Sequence, residues 1–372
     1  FEIAQLRKQG ETLVRVYNPS LKNEGWESDC SIVELVNDDR PFLVDTATLT
    51  LVEMGVSVHR VVHPVLCVQR DDRGRLQQVL PPDSDAGIAE SVIQLHVDRC
   101  TDAKKVAAMA GRLQAAMSDV KKATSDWPRM EACVAETAAL MPQWAPGVEK
   151  SWMKECRTFL EWLLDENFVF LGIRDYEISG SGSKRVLKPV PGSGLGILRE
   201  AKTMRRSRPL SELSPKALEK SHNRPLIVTK TNARSTVHRA GYMDYVGVLR
   251  IDEDGRAVAE RRIIGLFTSR AYNRSWMSTP LVRVRARNII KRSGLPEKSH
   301  AWKTMVHVLE TLPRDELFQA SSRQLRALSS GVLAIRDRKR VRLFVRRERY
   351  GRYYSCLIYL PREWLNTESR ER

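Results

Sequence analysis

Between Ser31 and Met54 the chain changes its period within a few residues, and this switch narrows its folding options more than any other feature. Ser31-Ile32-Val33-Glu34-Leu35-Val36-Asn37 is a short β-branched, apolar run. Asn37-Asp38-Asp39 interrupts it, and Leu43, Ala47, Leu51 and Met54 then recur at helical spacing until Gly55. A strand that yields at once to an amphipathic helix has to bury that helix against its own sheet, which selects layered sheet-and-helix architectures. Asp39 is the expected N-cap, Pro41 suits the first turn and Gly55 the C-terminal stop. A β-branched run over Val56–Val68 follows, then a turn at Asp71-Asp72-Arg73-Gly74 and a second strand ending at Pro81-Pro82. Ser91–Val97 reads as another strand, leading through Thr101-Asp102 into a helix striped by Val106, Met109, Leu113, Met117 and Val120.

The same reading divides the rest of the chain. Residues 126–166 form a helical spacer with Trp152, Cys156, Phe159, Leu160 and Leu163 on one face. Residues 167–278 are β-rich: Asn167–Ile178, Leu226–Lys230, Ser235–Arg239, and a hairpin of Tyr245–Ile251 with Ala257–Phe267 across Asp252-Glu253-Asp254-Gly255. The Ser179–Ser183 tract of alternating Ser and Gly is a flexible connection. Residues 279–338 are helical (Thr279–Arg292, Ser299–Leu312, Leu325–Ile335), and 339–372 open a hairpin, Val341–Arg347 with Arg352–Leu360, turning at Arg349-Tyr350-Gly351. The class is α+β, with residues 25–125 as an ACT-like sheet carrying helices on one face and 167–278 as a second, β-rich unit for which a PAS-like fold is one option among topologies the sequence leaves open.

With 42% apolar and 29% charged residues the chain has the composition of folded, globular material. No apolar run approaches the ~20 residues of a membrane span, and the first residues lack the apolar core of a secretory signal. Starting at Phe1 and stopping amid charged residues, the chain reads as an interior piece of a longer, cytoplasmic polypeptide. Six scattered cysteines, without CxxC or a neighbouring His at ligand spacing, argue for buried free thiols and against zinc or a disulfide framework. The net charge of +17 leaves a basic binding module open, for nucleic acid or an acidic protein surface. Against it, the arginines of Val341–Arg362 alternate with apolar residues as in a half-buried strand.

Motifs for chemistry are scarce. Gly192-Ser193-Gly194-Leu195-Gly196 lacks the third glycine of a dinucleotide fingerprint at its required place and follows Pro189 and Pro191, and no Walker sequence occurs. No cofactor site is expected in this segment. His59 and His63 sit on a strand-like run, ~13 Å apart at strand rise and too far for one metal. Two clusters remain. Asn37, Asp38, Asp39 and Arg40 form the turn between the first strand and first helix, where helix N–H groups can face an effector carboxylate and acidic side chains its ammonium. A plain capping turn accounts for the same residues. Arg314, Asp315, Glu316 and Phe318 follow the helix-stopping Pro313 and read as a salt-bridged structural corner or interface, not as a catalytic carboxylate pair.

Ser31–Asp45, Gly265–Asn273, Pro313–Gln319 and the arginine-studded hairpin of Val341–Arg362 together resemble the N-terminal region of the large bacterial NAD-specific glutamate dehydrogenases. The resemblance covers nearly the whole chain. It implies a regulatory and oligomerisation segment with ACT-like domains, partnered by its own catalytic domain and by other subunits in a homo-oligomer such as a tetramer. It implies an amino-acid effector, NAD bound elsewhere in the parent enzyme, and no catalytic, cofactor or metal residue in these positions.

Overall fold

The computed structural model describes residues 2–82, 84–180, 186–199, 225–335, 340–348 and 353–365. By internal contacts the chain forms two units, Phe1–Trp127 with Ala233–Tyr242, and Pro128–Asn232 with Met243–Arg372. Both are mixed α+β.

The first unit is built on a six-stranded antiparallel sheet of β1 (Leu13–Tyr17), β2 (Ser31–Asp38), β3 (Val58–Val62), β4 (Val65–Arg70), β5 (Leu76–Leu80) and β6 (Ile88–Val97), in the order β1-β2-β6-β4-β5 with β3 also on β6. After the short helix α1 (Leu21–Glu24), two longer helices, α2 (Leu43–Glu53) and α3 (Ala103–Ser125), pack against one another. Their stripes Leu43, Ala47, Leu51 and Met109, Leu113, Met117, Val120 are buried, as are Val33, Leu35, Ile93 and Leu95 of the sheet. Since β2 is buried on both faces, it reads as a continuous apolar run rather than an alternation. Asp102 caps α3 by accepting the Lys104 N–H, as its sequence implies.

The run Val56–Val68 is not one strand. It breaks at His63-Pro64 into β3 and β4, both paired with the long β6, and the Pro64 carbonyl accepts the Val92 N–H at the break. Proline has no N–H to give to the ladder, so the interruption falls where it stands. Nor is Asp39 the helix cap. Its N–H goes to the Ala89 carbonyl, prolonging the β2–β6 pairing, and α2 starts only after Phe42, which has φ 74° and offers no side-chain cap. Gly55 does end the helix, at φ 74°.

The second unit starts at Pro128, within α4 (Trp127–Trp144), and continues into α5 (Lys150–Trp162); the two are interrupted around Ala145-Pro146-Gly147-Val148, where the sequence predicts a single helical stretch. Its sheet contains β7 (Phe168–Ser179), β8 (Val186–Pro189), β9 (Leu195–Gly196), β10 (Leu226–Arg234), β11 (Tyr242–Ile251) and β12 (Ala257–Phe267), ordered β10-β11-β12-β7-β8 with β9 on β7. Ser235–Arg239 is not a strand: it is a loop in which the Ser235 hydroxyl bonds Val237 and the Ser235 N–H closes on Gly241 O. Helices α6 (Ser269–Asn273), α7 (Val282–Arg292), α8 (His300–Thr311), α9 (Arg314–Gln319) and α10 (Ser322–Ile335) follow. α7 begins at Val282 rather than Thr279, after Leu281 at φ 64°. One continuous core joins α4, α5, the sheet and these helices, centred on Phe159, Trp162, Phe267 and Phe318.

The terminal hairpin, β13 (Arg342–Arg347) with β14 (Tyr354–Tyr359), turns Phe344, Leu357 and Tyr359 towards that core. Leu343, Val345 and Ile358 are left exposed on its other face. The expected turn residues Arg349, Tyr350 and Gly351, and Ser181 to Ser183 of the serine-glycine tract, lie outside the described residues. All six cysteines are free thiols, but only Cys67 and Cys156 are buried and Cys356 is exposed. No helix among the described residues is long and apolar enough to cross a membrane.

Candidate functional site

At the end of β2 the turn residues Asn37, Asp38, Asp39 and Arg40 meet partners from four parts of the first unit. Asp38 Oδ1 accepts from Arg7 Nη2 at 2.7 Å and from the Gly10 N–H at 3.1 Å, and its Oδ2 accepts from Arg40 Nη2 at 3.0 Å. Arg40 also donates to Ser125 Oγ at the end of α3, 2.9 Å away. Arg7 is fully buried and donates to Glu90 Oε1 at 2.8 Å. Glu90, itself 1% exposed, is clamped from its other side by Arg70 through Nε and Nη2, both at 2.7 Å. The result is a chain of alternating charges, Arg40–Asp38–Arg7–Glu90–Arg70.

Burial alone would raise the carboxyls of Asp38 and Glu90, but their arginine partners outweigh it and hold both below the usual carboxylate range. Arg7 loses by burial and gains more from Glu90 and Asp38, so its guanidinium is held charged. Charges this deeply buried survive only when paired and hydrogen-bonded.

Asn37 is buried, and its Oδ1 accepts from Thr12 Oγ1 at 2.7 Å while its Nδ2 has no hydrogen-bond partner. Asp39 is the turn's exposed carboxylate. Beyond it, the Phe42 ring lies 6.0 Å from Trp127 and 4.7 Å from the His238 ring. His238 also donates its main-chain N–H to Thr46 Oγ1, and its Nδ1 lies 3.0 Å from Asp45 Oδ2. The first turn of α2 is thus bordered by the charged chain and by the loop of residues 235–241. Arg7, Arg70, Glu90 and His238 carry no sequence signal of this role, because each lies far along the chain from the turn it serves.

The second cluster lies in the other unit. Arg314 donates to the Arg274 carbonyl at 2.7 Å and to Glu310 Oε1 at 3.0 Å. The buried Glu316 carboxylate accepts two bonds from Arg346 of β13, at 2.7 and 2.8 Å, and one from the Ser355 hydroxyl of β14. Asp315 lies 3.4 Å from Lys230 Nζ, which reaches the buried Asp244 at 2.6 Å. Burial pushes the Asp244 carboxyl up to about 6 despite that ammonium. Phe318 stacks on Phe267 with ring centres 4.8 Å apart and planes 6° apart.

The glycine-rich stretch supports packing. Gly196, at φ 60°, lies against β7 so closely that an added Cβ would meet Leu171 O at 2.1 Å. His59 pairs with Asp98 and His63 with Ser91, and no group of three or more His, Cys, Asp or Glu among the described residues is placed to hold a metal.

Three family models match the chain: glutamate dehydrogenase ACT1 domain over residues 1–113, helical motif 1 over 279–338, and ACT2 domain over 342–372. Curated relatives include NAD-specific glutamate dehydrogenases of Halomonas elongata, 36% identical over 369 residues, and Pseudomonas aeruginosa, 34% identical over 363. A third, from Mycobacterium tuberculosis, is 25% identical over 378 residues. The alignments cover 96%, 96% and 100% of this chain, and the chain spans 22% of the length of each relative.

Proposed function

Since the chain carries matches to the ACT1 domain, helical motif 1 and ACT2 domain of the glutamate dehydrogenase family, we propose that it is a regulatory and assembly segment of an NAD-specific glutamate dehydrogenase. The whole polypeptide would deaminate L-glutamate oxidatively to 2-oxoglutarate and ammonium, reducing NAD. In this reading NAD and the reacting groups are held elsewhere in the polypeptide, and these residues make subunit contacts and transmit an effector signal. The observation that carries the reading is identity of 36% and 34% sustained over 96% of the chain, across both units.

The effector would be an amino acid at the Asn37–Arg40 turn. Asp38 already has Arg7, Gly10 and Arg40 on its oxygens. The ammonium therefore falls to the exposed Asp39, and the effector carboxylate to the first N–H groups of α2. A coupling of about 1–3 kcal/mol would suffice for regulation at a distance. Arg314, Asp315, Glu316 and Phe318 act in this reading as the corner that seats the terminal hairpin. Residues 25–125 would be the ACT-like domain, 167–278 a PAS-like one between the helical stretches 126–166 and 279–338, and 339–372 the opening of a second ACT-like domain in a tetrameric assembly.

The test is glutamate-dependent NADH formation by the complete polypeptide, measured with and without single amino acids, against the same protein lacking residues 1–372. An active parent whose truncated form loses assembly or effector response supports the reading. A parent without glutamate-dependent NADH formation refutes it. Steeply salt-dependent retention on heparin or DNA would then favour the basic-module alternative that the +17 charge leaves open.

A further inference from the structure

Around the Lys230 ammonium two carboxylates share one positive charge. Asp244 Oδ1 lies 2.6 Å from Nζ and Asp315 Oδ1 3.4 Å, and the Tyr272 hydroxyl, which donates to Asp315 Oδ1, stands 3.5 Å from the same nitrogen. Lys230 and Asp244 belong to the neighbouring strands β10 and β11, Tyr272 to α6 and Asp315 to α9. From β12 the Phe267 N–H reaches Asp244 Oδ2 at 3.0 Å. Burial works against the Lys230 ammonium, but the two carboxylates outweigh it and keep it charged. Tyr272 is pushed up to about 12 by burial and by the same carboxylates, so it stays neutral. The site is therefore one proton short of neutrality, and Asp244, 1% exposed, is its deepest carboxyl. Burial and the nearby Asp315 raise that carboxyl, against the pull of Lys230, to about 6.

The elements joined here also hold the terminal hairpin. Thr229, next to Lys230, donates to Glu348 Oε1 at 2.9 Å, just beyond β13. Glu316, next to Asp315, accepts from Arg346 of β13 and Ser355 of β14. Phe318 of α9 stacks on the ring of Phe267, the residue whose N–H binds Asp244. Lifting α9 thus removes Asp315 from the cluster and uncovers the Phe267–Asp244 bond to water.

We infer that Lys230, Asp244 and Asp315 form a proton-dependent latch between β10–β11 and α9, closed more firmly when Asp244 carries a proton, and that through α9 it sets how tightly the terminal hairpin is seated. This rests on the reading of Arg314, Asp315, Glu316 and Phe318 as the corner that seats that hairpin. The direction follows from linkage. When α9 lifts, Asp244 loses both the burial and the neighbouring carboxylate that raise it, so the open form holds the proton less tightly than the closed one. The form that binds the proton better gains as the pH falls. With a transition centred near 6, the closed form gains about tenfold between pH 7 and pH 5. The hairpin lies within the residues matched by the ACT2 domain, so the hold on that part of the chain weakens as the pH rises.

The experiment follows hydrogen exchange of the α9, β13 and β14 amides in the complete polypeptide from pH 5 to pH 7, each rate divided by the intrinsic chemical rate at that pH. The expected result for the wild type is protection about tenfold higher at pH 5 than at pH 7, with the β2 and β6 amides of the first unit unchanged. Asp244→Asn, uncharged at every pH, should keep the high protection throughout. Asp315→Asn removes only the neighbouring charge from a half-exposed position and should move the midpoint to lower pH, which tests the latch even if Asp244→Asn does not fold. Glu316→Ala serves as the control for the corner and should speed exchange of the hairpin at both ends of the range. Equal wild-type protection at pH 5 and pH 7, protection that falls on acidification, the same change in both units, or a pH response that survives in Asp244→Asn overturns the latch, while faster hairpin exchange in Glu316→Ala leaves the corner standing. Unchanged hairpin exchange in Glu316→Ala overturns corner and latch together.

Discussion

Replacing Glu90 by Gln removes one negative charge from between Arg7 and Arg70, the buried end of the chain Arg40–Asp38–Arg7–Glu90–Arg70, at almost unchanged volume. Wild-type Glu90 accepts three bonds of 2.7 to 2.8 Å from two arginines while 1% exposed. Gln keeps one acceptor oxygen, but its amide N–H groups face guanidinium donors. Arg7 retains Asp38 and the Glu11 carbonyl, and Arg70 retains only the carbonyls of Gly74 and Ala4. Breaking one side of a buried pair costs about 3–5 kcal/mol, and the partners Arg7 retains place Glu90→Gln at the lower end, about 3 kcal/mol. For a unit of this size the change lowers Tm by roughly 10 °C. Because the chain has two units, the readout should be specific to one, and native-state exchange of the β2 and β6 amides under urea serves. Both carboxyls titrate lower in the folded chain than in the unfolded one. Their contribution is therefore fully present above the unfolded values of about 4 and is lost as pH falls through the folded ones. The gap between wild type and Glu90→Gln should be full at pH 7 and shrink below about pH 4. A loss under about 1 kcal/mol at pH 7, or a gap of equal size at pH 3, would refute the argument that paired charge stabilises this region.

Other substitutions test separate parts. Gly265→Ala places a Cβ 2.0 Å from Val169 O and 2.4 Å from the Phe168 ring, so it should force β12 away from β7 and cost about 3 kcal/mol or more in urea titration of the second unit. Glu316→Ala leaves Arg346 without its carboxylate. It should speed exchange of the β13 and β14 amides while β2 and β6 are unchanged, and a uniform effect on both units would contradict the local reading. Asp102→Ala removes the cap of α3 and should cost about 1 kcal/mol, seen as faster exchange confined to the first turn of that helix.

What the sequence revealed and what it hid divide along a physical line. α3 was legible because its signals are local: Asp102 caps through its own neighbour Lys104, and Met109, Leu113, Met117 and Val120 recur within one helix. The β11–β12 hairpin was legible for the same reason, its turn and alternation lying side by side. Asp39 misled because Asp before an apolar period is an ordinary cap. Its N–H is claimed instead by Ala89 on a strand fifty residues away, which no local pattern announces. The break at Pro64 is visible in the sequence, but its meaning depends on β6 being long enough to serve two strands. Of the turn site, Asn37 to Arg40 were found from their place between strand and helix. The charges that surround them were not, since Arg7 and Glu90 stand 83 positions apart. His238 had no period, motif or neighbour to mark it.

The β2–β6 pairing, in the middle of the first unit, joins Ser31 to Val97 and Asp38 to Glu90, so it forms only after a long stretch of chain has closed on itself. Loop-closure entropy is paid before such contacts stabilise anything, whereas α2 and the β4–β5 hairpin need only near neighbours. The rate at which this unit acquires its structure is accordingly governed by the search that brings two distant strands into register. The buried arginines and carboxylates, which meet only once that search has ended, act mainly to slow the return journey. Weakening them should shorten the lifetime of the folded unit far more than it delays its birth.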